Sequence, residues 1–144
     1  MRIKHLVSVI CLGICIPAQS REIAVISHPD ANLTIQEPKQ AAQIFLGKKK
    51  MLRDGTAIKI YDLPESDDRD SFYKRVTRKK SSQLHSYWAR QLFSGVANPP
   101  EQLDSEEDML KIVSSIKGAI GYIDASQVTE NVKVLYTIDI SSNK

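Results

Sequence analysis

The sequence predicts one α/β domain, a mixed sheet flanked by helices. Three observations carry this. Short runs rich in β-branched residues, such as Ile23-Ala24-Val25-Ile26, alternate with stretches of helical apolar spacing. The resulting order, β-α-β-α-α-α-β-β, implies layers of helix and sheet around a core. At 144 residues, with 42% hydrophobic and 26% charged content, the chain has the size and composition of a single globular domain.

Residues 1–20 read as an export signal and not as part of that domain. Arg2, Lys4 and His5 make a basic start, and the stretch from Leu6 to Pro17 is apolar. The run has secretory length and is too short to span a bilayer comfortably. Ala18-Gln19-Ser20 puts small residues where a signal peptidase reads, so cleavage is expected after Ser20. Residues 21–144 are then expected as one domain in the periplasm or outside the cell, not spanning a membrane once processed. Cys11 and Cys15 both fall in the leader, so no disulfide or thiolate chemistry is expected of the mature domain. The chain carries 20 basic and 17 acidic residues, and without Arg2 and Lys4 the excess falls from +3 to +1. A balance that near neutrality excludes nucleic acid as the expected partner.

Strand one is expected at 22–27, closed by His28-Pro29-Asp30. A helix is expected over 34–46, opened by a Thr34/Glu37 capping box or by Pro38 in the first turn, and stopped by Gly47. Lys48-Lys49-Lys50 and Arg53 then read as a solvated cluster. Asp54-Gly55 is a turn, and 57–61 is the second strand. Pro64 ends that strand, and Ser66 or Asp67 caps a helix that turns Phe72, Tyr73 and Val76 inward. Its first turn is acidic and its last basic, which suits the macrodipole.

Residues 81–93 form a further predicted helix, with Leu84, Trp88 and Leu92 as a core stripe beside Tyr87. Gly95 caps it, and Asn98-Pro99-Pro100 makes a stiff connector. Ser105 opens a fourth helix, with Met109, Ile112, Val113 and Ile116 as its buried face and Gly118 as its stop. Residues 119–124 are a strand in which Gly121 admits a close neighbour. Residues 132–138 are the last strand, and 141–144 a polar tail.

The stretch from Tyr61 to Arg69 is where chemistry is expected. A strand that ends in a turn and opens a helix presents free backbone N–H groups, a natural seat for an anion. Ser66 Oγ, the N–H groups of Asp67 and Asp68, and the Arg69 fork are the candidate donors. The opposing carboxylates are Asp62, Glu65, Asp67, Asp68 and Asp70. The same residues also read as plain helix architecture, with Ser66 as cap and Arg69 in a surface ion pair. No EF-hand spacing, zinc-type His grouping or nucleophile motif is present, so no metal, cofactor or catalysis is expected.

Three segments resemble the phosphate-type substrate-binding proteins of ABC transporters. They are Ala42-Gln43-Ile44-Phe45-Leu46-Gly47-Lys48, the Tyr61–Arg69 turn, and Gly118-Ala119-Ile120-Gly121-Tyr122-Ile123. Tyr87-Trp88 and Leu92-Phe93-Ser94-Gly95 are similar to short, stand-alone relatives. The resemblance covers nearly all of 21–144 and implies a single lobe of the type 2 periplasmic binding protein fold. It implies a non-catalytic module binding phosphate or a similar oxyanion, with an ABC permease or another envelope protein as partner. The family's phosphate loop runs roughly Arg-Ser-x-Gly-Ser-Gly-Thr. Here only Ser66 matches a family hydroxyl, the glycines are missing, and the preceding arginine has no counterpart. The alternative is an envelope interaction or structural module that has lost ligand binding.

Overall fold

The computed structural model describes residues 20–141. Residues 1–19 of the expected leader, with its two cysteines, and the tail beyond Ser141 lie outside the described residues.

Five strands form one mixed sheet. They are β1 (Glu22–Ser27), β2 (Lys59–Asp62), β3 (Glu101–Gln102), β4 (Ala119–Asp124) and β5 (Lys133–Asp139). Their order is β3-β2-β4-β1-β5. β2 runs parallel to β3 and β4, while β1 is antiparallel to both β4 and β5. Strand alternation splits the core by face. Ile23, Val25, Ile120 and Tyr122 pack with helices α1 (Pro38–Phe45), α2 (Asp67–Thr77) and α3 (Ser81–Phe93). Ala24, Ile26, Tyr61 and Ile123 pack with Met109 and Val113 of α4 (Glu106–Ser115). The predicted mixed α/β layering is therefore what forms.

α1 begins at Pro38 and not at Thr34. Ala31, Leu33 and Ile35 are all buried while Asn32 and Thr34 are exposed. That period of two draws the segment out along the core and overrides the Thr34 cap. Lys133 Nζ fixes it by donating to the carbonyls of Ala31 and Leu33. Gln40 Oε1 instead accepts from the N–H groups of Gln36 and Glu37 at the helix start. β2 likewise starts two residues late, because Ala57 bridges to Met51 and Ile58 N–H donates to Lys50 O.

Two expected core positions lie outside. Leu92 is 52% exposed and Ile116 42% exposed. Each stands in or just past the last turn of its helix. Gly121 does meet a close neighbour: a Cβ there would stand 2.2 Å from Met109 Sδ. The glycine lets α4 lie flat on β4.

Candidate functional site

The carboxyl ends of β2 and β4 open between the starts of α2 and α4. Ser66 caps α2 by accepting from Arg69 N–H at 3.1 Å, as expected of a residue of its type before an acidic first turn. Ser105 caps α4 in the same way, accepting from Asp108 N–H at 3.1 Å. Both starts border one cleft of about 260 Å³. First-turn N–H groups have no intrahelical acceptor, so two positive helix ends face one space.

The cleft is nevertheless rimmed by carboxylates: Glu65, Asp68, Asp104, Glu106 and Asp124. Some are already engaged. Asp68 pairs with Arg21. Glu106 Oε1 accepts from Asp124 N–H at 2.8 Å. The hydroxyl and N–H of Ser126 hold the Asp124 carboxyl below its ordinary range. Glu65 Oε1 lies 3.0 Å from His85 Nε2. The acids do not converge on a point, and among the described residues no three His, Cys, Asp or Glu side chains are grouped to hold a metal ion.

Arg69 forms the floor. Its side chain is only 8% exposed, and so is that of Asp62. The ion pair expected at the surface is thus buried. Arg69 Nε reaches both Asp62 oxygens at 3.2 and 3.1 Å, and Nη2 reaches Oδ2 at 2.7 Å. Asp62 Oδ1 also accepts from Tyr122 Oη at 2.5 Å and from Leu63 N–H at 2.8 Å. Burial opposes the charge on Arg69, but the Asp62 carboxylate outweighs it and holds the guanidinium pKa above its ordinary value. Arg69 Nη1 is buried with no hydrogen bond, and its nearest carboxylate is Asp70 at 3.7 Å.

Aromatic rings underlie this pair. Arg69 Cζ stands 4.9 Å from the Tyr73 ring centre. Phe72 stacks on Tyr122 at 4.1 Å, and Phe45 meets both edge-on. Burial first, and the Asp62 charge second, push the Tyr73 and Tyr122 phenols well above their ordinary value.

Of the four residues singled out from sequence, Ser66 is exposed at the rim, Asp67 is exposed outside the cleft lining, Asp68 is half-buried and bound to Arg21, and Arg69 is buried. The fork read as an anion donor is taken up by Asp62. Asp62, Tyr122, Ser105 and Glu106 were missed as site residues. The Ser105 cap and the Gly-Tyr strand were visible signals, but nothing in the sequence joined them to the turn.

No protein-family model matches the chain, and no curated protein does. Solved structures do. One, from Clostridium perfringens, is assigned as a phosphate ABC transporter substrate-binding protein and contains bound phosphate. It aligns with a TM-score of 0.60 at 22% identity over 82% of this chain and 45% of its own. An ABC-type phosphate transport receptor from Vibrio cholerae gives 0.64 at 17% identity, over 82% of this chain and 46% of its own. PstS from Borrelia burgdorferi gives 0.60 at 13% identity, over 81% and 47%. This chain thus spans less than half the length of the proteins it matches. It carries the fold of the phosphate-type substrate-binding proteins over that part of their length.

Proposed function

We propose that this chain is an exported, non-catalytic binding module of the solute-binding type. It takes phosphate or a similar oxyanion at the Ser66–Arg69 turn and works in the periplasm beside an ABC permease or another envelope protein. The observation that carries this reading is the opening of two capped helix starts onto one cleft. The shared fold supports it, since a protein of that fold holds phosphate. No helix among the described residues is long and apolar enough to cross a membrane.

In this reading Ser66 Oγ accepts from Arg69 N–H and turns its own proton to the ligand. The N–H groups of Asp67 and Asp68 complete the donor set. Arg69 underlies the turn with its fork held by Asp62, so that pair adds no net charge. The carboxylate rim limits affinity. Each acid opposes an anion ~10 Å away by about 1 kcal/mol or more at an effective dielectric near 20. Binding is expected near ~1 mM, or about −4 kcal/mol.

Calorimetric titration with phosphate and with sulfate tests this. The parent should show weak, saturable heat. Ser66→Ala should weaken binding severalfold and lower stability by about 1 kcal/mol through the lost cap. A parent that gives neither heat nor a thermal shift at millimolar anion overturns the proposal.

A further inference from the structure

The two edges of the sheet differ. β3 is two residues long and offers little to an incoming strand. β5 has seven residues and, among the described residues, pairs only with β1. Val25 faces Tyr136 and Ile26 faces Val134, which leaves Leu135 as a bulge. Beyond the bulge the register is regular. Ile140 N–H donates to Arg21 O at 2.8 Å. Bonded and non-bonded pairs alternate along an antiparallel ladder, so the N–H and C=O of Thr137 and Asp139 point away from β1.

A groove of about 700 Å³ lies along this stretch. Tyr136 and Ile138 line it from the strand, and Lys74, Arg75 and Arg78 line it from α2. All three cations are exposed. Asp139 is the acidic residue among the described lining, so the groove is net positive.

We propose that this groove docks an extended acidic peptide segment of another protein, which adds to β5 as a further strand across Thr137 and Asp139. The outward backbone groups would supply the ladder, and Lys74 and Arg78 would select carboxylates on alternate side chains, while Arg75 acts on Asp139. Charge decides against a second copy of the chain as occupant. β5 joined to β5 would bring two sets of the same cations to one seam.

The test uses a short synthetic peptide alternating valine and glutamate, titrated into the purified protein and followed by amide NMR. Shifts are expected at Thr137, Asp139 and the Lys74 to Arg78 turn. Replacing glutamate with lysine in the peptide should weaken binding about tenfold or more, as should Lys74→Glu combined with Arg78→Asn. Thr137→Pro removes an outward N–H without touching the β1 ladder, and should abolish binding while far-ultraviolet circular dichroism stays unchanged. Three results would each overturn the proposal: no shifts at β5, equal binding of the lysine peptide, or a β5-paired dimer of the chain in sedimentation.

Discussion

The two ends of α2 face surfaces of opposite sign. Its first turn carries Asp67, Asp68 and Asp70 and borders the cleft at the carboxyl ends of β2 and β4. Its last turn carries Lys74 and Arg75, with Arg78 just beyond, and walls the groove beside β5. Both arrangements complement the helix dipole. At the first turn, however, the acidic side chains offset part of the positive potential that would draw an anion. At the far end Lys74 and Arg78 reach the groove, and Arg75 acts on Asp139 beside it. Charge that stabilises a helix end thus counts for or against binding according to what lies outside it.

The largest expected effect lies at the first-turn end. Arg69→Met leaves Asp62 buried without its partner and should lower stability by about 3–5 kcal/mol in urea unfolding. Converting both, as Asp62→Leu with Arg69→Met, should recover most of that loss. A single variant that loses less than about 1 kcal/mol would show that this pair does not anchor the helix start.

A smaller effect should appear at high pH. Phenols in the unfolded chain ionise near ~10, while Tyr73 and Tyr122 keep their protons well above that in the folded state. Only the unfolded state then releases these protons. Their contribution is fully present below about pH 10 and falls as pH rises, by up to about 1.4 kcal/mol per pH unit for each phenol. Melting temperatures between about pH 8 and 11 should show the decline, and Tyr122→Phe should make it shallower. An equally steep decline in that variant would assign the loss to other groups.

The smallest effect separates stability from binding at the far end. Arg78 sits in the left-handed region at φ 62°, where a side chain is disfavoured. Arg78→Gly should raise stability by about 0.5–1 kcal/mol. The same change removes a cation from the groove and should weaken the acidic peptide. Gains or losses in both together would break the proposed division of labour along α2.

Most of the fold was legible, because apolar period and turn chemistry act locally. Gly47, Gly95, Ser66 and Ser105 mark ends that the structure keeps. Thr34 misled because its capping signal competes with the period-two burial of Ala31, Leu33 and Ile35, which depends on contacts distant in sequence. Leu92 and Ile116 misled because spacing predicts a face and not how far the neighbouring layer extends. At the site, Ser66 was readable as a cap. The engagement of Arg69 was not, since Asp62 reads as a strand residue until β2 and α2 are set against each other. Tyr122, sixty positions further on, meets Asp62 only through the sheet.

The placement of β1 has a consequence in time. Ile23 faces Asp124 on one side and Ile138 on the other. The earliest strand therefore waits for the latest two. A nascent chain paused at Gly118 contains β1 and α1 to α4 but neither of the described strands that pair with β1. Closing so long a loop is entropically unfavourable and slows folding. β1 therefore gains its two sheet neighbours only through contacts about a hundred positions away, a pairing that orders late and leaves Ile23, Val25 and Ile26 dependent on it.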